Sequence, residues 1–206
     1  WVRTATWFAV TVASVVLILA GWYFLSPPDY PPARLVGDAR VFRDGQPVVV
    51  TAGEPRRGDV IRTPGQSARL SLGGYCELLI DPHTELSWQG TPRQEVVELR
   101  GGKISSRITP GAGDFRCRTP LGTLEVLGTE FVTEVKFPQD TKGEAAVNNA
   151  AIVTVFVISG TVGFDMVGTT GTLTAGETKV FEKLASGADR VANPRAAVKK
   201  AAESNE

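Results

Sequence analysis

The chain has 206 residues, 22 of them basic and 22 acidic, so its formal net charge is 22 − 22 = 0. That balance excludes the basic excess that neutralises phosphates, and no nucleic-acid partner is expected. One His and two Cys leave little room for a four-ligand zinc site, a His-based triad or a disulfide scaffold, while 22 Gly and 13 Pro suit short strands joined by turns.

The first residue is Trp, so the sequence reads as a segment of a longer product. Residues 1–25 are expected to form a transmembrane helix. Thr4 to Leu25 carries no charge, and at 1.5 Å per residue a helix of that length covers roughly 33 Å, enough for the hydrocarbon core. Trp7, Trp22 and Tyr23 fall near its ends, at the headgroup level. The run is longer than a signal peptide's apolar core and ends on Gly-Trp-Tyr-Phe-Leu, without a small-x-small cleavage pattern. Arg3 before the span favours a cytoplasmic N-terminus. Residues 26–34, with Pro27, Pro28, Pro31 and Pro32, form an extended stalk.

Residues 35–183 alternate strand and turn. Ala39 to Phe42, a turn at Asp44-Gly45, and Pro47 to Val50 make a hairpin. Ser67 to Leu72, Tyr75 to Ile80 and Thr84 to Trp88 follow, broken by Gly73-Gly74 and Asp81-Pro82. Glu95 to Leu99 is expected to end at Gly101-Gly102 before a new strand, Lys103 to Ile108. Thr123 to Lys136, Ile152 to Ile158, Thr161 to Met166 and Gly171 to Glu182 complete the series. No helical apolar stripe is sustained, so the fold class is all-β: a β-solenoid-like stack of short strands, or a sandwich. Val96 to Ile104 echoes Thr154 to Val162 as strand, glycine, strand, a pattern that suits stacked rungs.

Phe137 to Ala151 is polar and small, a long loop whose Gln139, Asp140, Lys142, Glu144, Asn148 and Asn149 are candidate partner contacts; the equally weighted alternative is an insertion without a role. Residues 184–206 read as a flexible tail. No catalytic, metal or cofactor site is expected. His83 stands between Asp81 and Glu85 in a turn with no second His or nucleophile beside it, and Gly122 and Gly128 lack the Lys-Ser/Thr and helix of a phosphate loop. Cys76 shares its phase with Leu78 and Ile80, and Cys117 with Phe115, so both point inward, either as a disulfide or as two buried thiols.

The segment Phe115 to Val135 resembles the central motif of the FecR-type domain, an extended F-x-V-x-T-P-x-G followed by V-x-G-T-x-F-x-V. Thr119, Pro120, Gly122, Gly128, Thr129 and Phe131 carry that match. Ala68 to Leu86, Val97 to Ile104, Val155 to Val162 around Gly160, and Leu173 to Glu177 around Gly176 are similar to further elements of the family, in the same order. The resemblance spans about Arg57 to Phe181 and implies a single-span regulator of the bacterial inner membrane. Its β domain would be periplasmic and would act by contact with proteins in a sigma/anti-sigma system. The bilayer itself is a partner through residues 4–25. Two other readings stand beside it: an accessory subunit of an envelope complex, and a cell-wall carbohydrate module that stacks sugars on Tyr75, Trp88 and Phe164. Bulky β-branched replacement at Gly128 is expected to damage the fold and not a reaction.

Overall fold

Alternation of apolar and polar side chains decides which face of a strand turns inward, and the structure, a computed structural model, follows that rule along the chain. It describes residues 32–49, 54–111, 113–126, 128–137, 150–183 and 189–192, the last as backbone only. These residues fall in one compact unit, Pro31–Glu206. The apolar segment 4–25, most of the stalk, the loop residues from Gln139 to Asn149 and most of the tail lie outside the described residues. No helix among the described residues is long and apolar enough to cross a membrane.

The elements are strands throughout. In spatial order the first sheet holds β1 (Arg34–Gly37), β5 (Ala68–Leu72), β6 (Cys76–Ile80), the second half of β8 (Gln94–Ile108), β11 (Glu130–Lys136), β12 (Ala151–Ser159), β15 (Thr178–Lys183) and β16 (Asp189–Ala192). The second holds β3 (Gln46–Val48), β2 (Arg40–Arg43), β4 (Val60–Thr63), β7 (Thr84–Thr91), the first half of β8, β9 (Asp114–Thr119), β10 (Gly122–Val126), β13 (Thr161–Met166) and β14 (Thr169–Thr174). Every pairing among the described residues is antiparallel except β8 with β9.

Of the two architectures the sequence leaves open, this is the sandwich arrangement, because the inner faces of both sheets share one core. Phe115 of β9 meets Phe131 of β11 edge-on at 6.2 Å, and Phe164 of β13 meets Phe181 of β15 at 5.2 Å, each pair joining one sheet to the other. Leu70, Leu78, Ile80, Ile104 and Val155 from the first sheet and Ile61, Leu86, Leu99 and Leu124 from the second are fully buried. Asp44 and Gly45 both take positive φ, 49° and 77°, as the tight β2–β3 hairpin requires.

The expected break at Gly101-Gly102 does not occur. β8 runs through both glycines and changes sheet there, pairing β7 and β9 before them and β6 and β11 after. Gly102 has φ +90°, and a Cβ on it would lie 2.5 Å from Thr84 Cα and 2.8 Å from His83 O. Only a residue without a side chain lets the strand turn this corner. The echo between 96–104 and 154–162 has the same cause: β12 belongs to the first sheet and β13 to the second, and Gly160 makes the crossing. Two runs expected as single strands are likewise divided by crossings, Thr123 to Lys136 at Gly128 and Gly171 to Glu182 at Gly176.

The corner glycines are not equivalent, and that difference is measurable. A Cβ at Gly128 (φ +77°) would lie 2.8 Å from Pro110 Cβ and nearer still to its Cα, whereas Gly176 (φ +84°) has nothing within 4 Å of that position. Gly128→Val is expected to cost about 2 kcal/mol or more, and Gly176→Ala only the left-handed backbone penalty of about 1 kcal/mol. Urea unfolding of the two variants beside the parent chain tests this; equal losses would remove the packing argument.

Candidate functional site

Strand crossings strip backbone groups of ladder partners, and threonines supply replacements. At one end of the sandwich Thr63 Oγ1 donates to Asp81 O at 2.6 Å and accepts from Thr84 N at 3.0 Å. Thr84 Oγ1 accepts from Lys103 N at 3.0 Å and donates to Lys103 O at 3.2 Å. Around Thr129 the same device recurs: its hydroxyl donates to Thr161 O at 2.9 Å, and its carbonyl accepts from Ile108 N at 3.0 Å. Gly160 lies against it, since a Cβ there would sit 2.8 Å from Thr129 Oγ1 and 3.0 Å from Gly128 O.

The motif residues therefore divide between two places. Gly128, Thr129 and Gly160 come together at one crossing, with Phe131 entering the core just beyond it. Thr119, Pro120 and Gly122 form the β9–β10 hairpin, where Thr119 Oγ1 donates to Gly122 O at 3.1 Å and accepts from Leu121 N at 3.3 Å. Gly176 sits in the β14–β15 corner and donates its N–H to Val157 O at 2.8 Å. None of these residues lines the grooves beside Phe164, Arg43 or Glu95. They hold backbone.

The polar chemistry that the structure does assemble centres on Glu95, a residue that the sequence argument did not single out. Its carboxylate is 2% exposed and accepts four hydrogen bonds. Arg57 supplies a fork at 2.6 and 2.9 Å, Trp88 Nε1 donates at 2.6 Å, and the Tyr75 hydroxyl donates at 2.5 Å. The Arg57 guanidinium also lies 4.6 Å from the Trp88 ring centroid. Burial first, and then the hydrogen bond to Glu95, pushes the Tyr75 phenol up to about 12. A charged residue in the inward phase of Glu95-Val-Val-Glu-Leu99 was the available signal, because Val97 and Leu99 are fully buried on the same face.

A second buried carboxylate, Asp59, takes the Arg43 fork at 2.8 and 2.7 Å and the Arg56 N–H at 2.8 Å. Burial acts to raise its pKa, but the Arg43 and Arg56 hydrogen bonds and charges outweigh it and hold the group below the usual carboxylate range. Both clusters join the segment just after residue 53 to the sheets, Asp59 to β2 and Arg57 to β7 and β8. Each is saturated, and neither leaves a free acid, base or ligand.

The remaining candidates are placed as follows. His83 is exposed in a turn, with Asp81 engaged by Lys103 at 2.9 Å and Glu85 by Arg62 at 2.7 Å. Among the described residues no group of three or more His, Cys, Asp or Glu is arranged to hold a metal. Trp88 and Phe164 are each 5% exposed, and Tyr75 is committed to Glu95, so the three offer no stacking platform for a sugar. Cys76 and Cys117 are free thiols buried in different sheets. Burial pushes Cys117 up to about 12 and, together with Glu95 and Glu77, raises Cys76 as well.

Such an arrangement defines an all-β domain whose buried carboxylates are paired within its own frame. The family of FecR protein matches residues 59–163, which is half of the chain, and the chain belongs to the FecR family. A crystal structure at 1.65 Å of a candidate anti-sigma factor from Parabacteroides distasonis ATCC 8503 has the same fold, with TM-score 0.51 and 19% identity over 65% of this chain and 59% of that one. A second such structure from the same organism, at 2.50 Å, gives TM-score 0.50 and 18% identity over 64% and 57%. This chain thus spans less than two thirds of either relative. No curated protein matches it.

Two measurements examine the carboxylates. Glu95→Ala leaves Arg57, Tyr75 and Trp88 facing a buried void, and is expected to cost about 3 kcal/mol or more in urea unfolding; a loss under about 1 kcal/mol would reduce the cluster to surface decoration. Asp59 has a folded pKa below its unfolded value of about 3.9, so it contributes stability above that pH and loses the contribution as pH falls through the folded value. Asp59→Asn should therefore be less stable than the parent at pH 7, with the gap closing below about pH 4. A gap that is constant with pH would contradict the assignment.

Proposed function

We propose that this chain is the membrane-anchored, extracytoplasmic β domain of a transmembrane regulator in a sigma/anti-sigma system, and that it acts by protein contact without catalysis. The observation that carries the reading is membership of the FecR family across residues 59–163. The shared fold with candidate anti-sigma factors agrees with it. The apolar run Thr4 to Leu25 and the prolines after it supply the anchor and stalk in this reading, with the β domain in the periplasm.

The surface suits protein contact. On the outer face of the first sheet Leu79, Phe156 and Ile158 are 40%, 38% and 44% exposed. Val132 pairs in register with Phe156, and ion pairs such as Arg107–Glu130 and Arg69–Glu77 stand around them. Apolar side chains ringed by charge mark contact surfaces more often than they mark catalytic ones. A β domain on a single helix transmits a signal by changing its partners or its assembly, since it has no reaction to report.

The test is a chromosomal deletion of the codons for residues 32–192, followed by transcript profiling. The expected result is a change of several-fold or more in genes read by one extracytoplasmic sigma factor. In the same strain background, Ser186→Cys should react with a membrane-impermeant maleimide in intact spheroplasts. An unchanged transcript profile overturns the regulatory role, and labelling only after lysis reverses the topology.

A further inference from the structure

Four strands end the two sheets among the described residues: β1 and β16 the first, β3 and β14 the second. A free edge presents unpaired N–H and C=O groups and templates another strand unless charge, proline, shortness or a distortion blocks it. Three of these edges are blocked. β1 has four residues, opens on Arg34 and closes on Gly37 at φ +117°. β3 has three and contains Pro47, and β16 has four and opens on Asp189-Arg190. β14 has six residues, Thr169-Thr-Gly-Thr-Leu-Thr174, with neither charge nor proline, in unbroken register against β13.

We propose that β14 is the interface between two copies of this chain, the two edges pairing antiparallel across a two-fold axis so that the second sheets become continuous. The inference goes beyond the regulatory reading and stands without it. Self-complementarity favours a second copy over a different protein. With Thr172 opposite its own symmetry mate, Thr170 faces Thr174 of the other copy. The outer face then carries a row of threonine–threonine pairs, which are favourable cross-strand partners.

On the inner face the same register sets Leu173 opposite Gly171 of the other copy, in both directions. A Cβ on Gly171 would lie 2.7 Å from Phe164 Cζ, so the Phe164 ring covers the bare glycine and is the apolar surface that the incoming leucine meets at the edge. Neutrality completes the match. Neither strand carries a charge of its own to repel its mate; Asp165 stands one strand back, in register with Thr170, and Glu177 Oε2 accepts from Thr174 N at 2.6 Å and must yield that N–H to the incoming strand. Six residues of edge pairing form a small contact beside the roughly 1,200 Å² of a stable specific interface, so the dimer is weak and concentration-dependent.

Site-directed cross-linking of the full chain in nanodiscs tests the register. The native thiols, Cys76 and Cys117, are buried, so a short bis-methanethiosulfonate reagent reports introduced ones. Thr172→Cys is expected to give a covalent dimer, and Thr178→Cys, exposed on β15, is expected to stay monomeric. Thr170→Cys and Thr174→Cys chains should cross-link when mixed, about tenfold more than either alone, as paired positions do against positions four residues out of register. Thr172→Lys sets two ammonium groups together at the axis and should abolish sedimentation of the dimer while leaving the urea midpoint unchanged. Absence of the Thr172→Cys dimer in folded chain overturns the proposal. So does equal cross-linking of the mixed and unmixed chains, or self-association that survives both Thr172→Lys and Thr172→Pro. None of these results bears on the transcript profile, so the dimer and the regulatory role fail separately.

Discussion

One strand holds the two sheets together. β8 lends its first half to the second sheet and its last residues to the first, and it has neighbours on both sides in each. That sharing is possible because Gly102 adopts a conformation that other residues avoid, in a space where Thr84 and His83 leave no room for a side chain. Once β8 is bent there, the chain on either side must also change sheets. The chain changes sheet in crossings between β1 and β2, β4 and β5, β6 and β7, β8 and β9, β10 and β11, β12 and β13, and β14 and β15. Each uncouples backbone groups from a ladder, and Thr63, Thr84 and Thr129 recouple them. Gly128, Thr129 and Gly160, among the residues that carry the family resemblance, are therefore joints of this frame.

The two buried carboxylates do a different job. Asp59 and Glu95 tie down the segment that leads into β4: Asp59 takes Arg43 of β2, and Glu95 of β8 takes Arg57, each in a closed set of hydrogen bonds. Paired and fully hydrogen-bonded carboxylates at this depth contribute little net stability compared with apolar packing, but breaking either leaves an uncompensated charge. Their effect is to specify one path for the segment between β3 and β4.

Much of the frame was legible from the residues. Strand order, the inward phase of Cys76, Leu78 and Ile80, and the Asp44-Gly45 turn follow from alternation and turn chemistry, which are local. Membership of the family was legible too, through the resemblance that the glycines and threonines carry. What alternation could not show is which sheet a strand joins. Gly101-Gly102 reads as a break, and only the long-range pairing of β8 with β6 and β11 turns it into a corner. The Glu95 cluster was hidden for a related reason. Trp88 is a hairpin neighbour 7 residues away, but Tyr75 and Arg57 lie 20 and 38 residues off in sequence and reach it only through long-range pairing of the strands.

The sharing of β8 also has a kinetic meaning. A strand that emerges midway along the chain and pairs with β6 and β7 before it and β9 and β11 after it makes neither sheet completable from local contacts. Loop-closure entropy must be met before those distant pairings reward it, so folding belongs in the slow, high-contact-order regime. The return path inherits the same coupling. Pulling β8 away opens both sheets at once, and the domain has no seam along which one half could detach and leave the other intact.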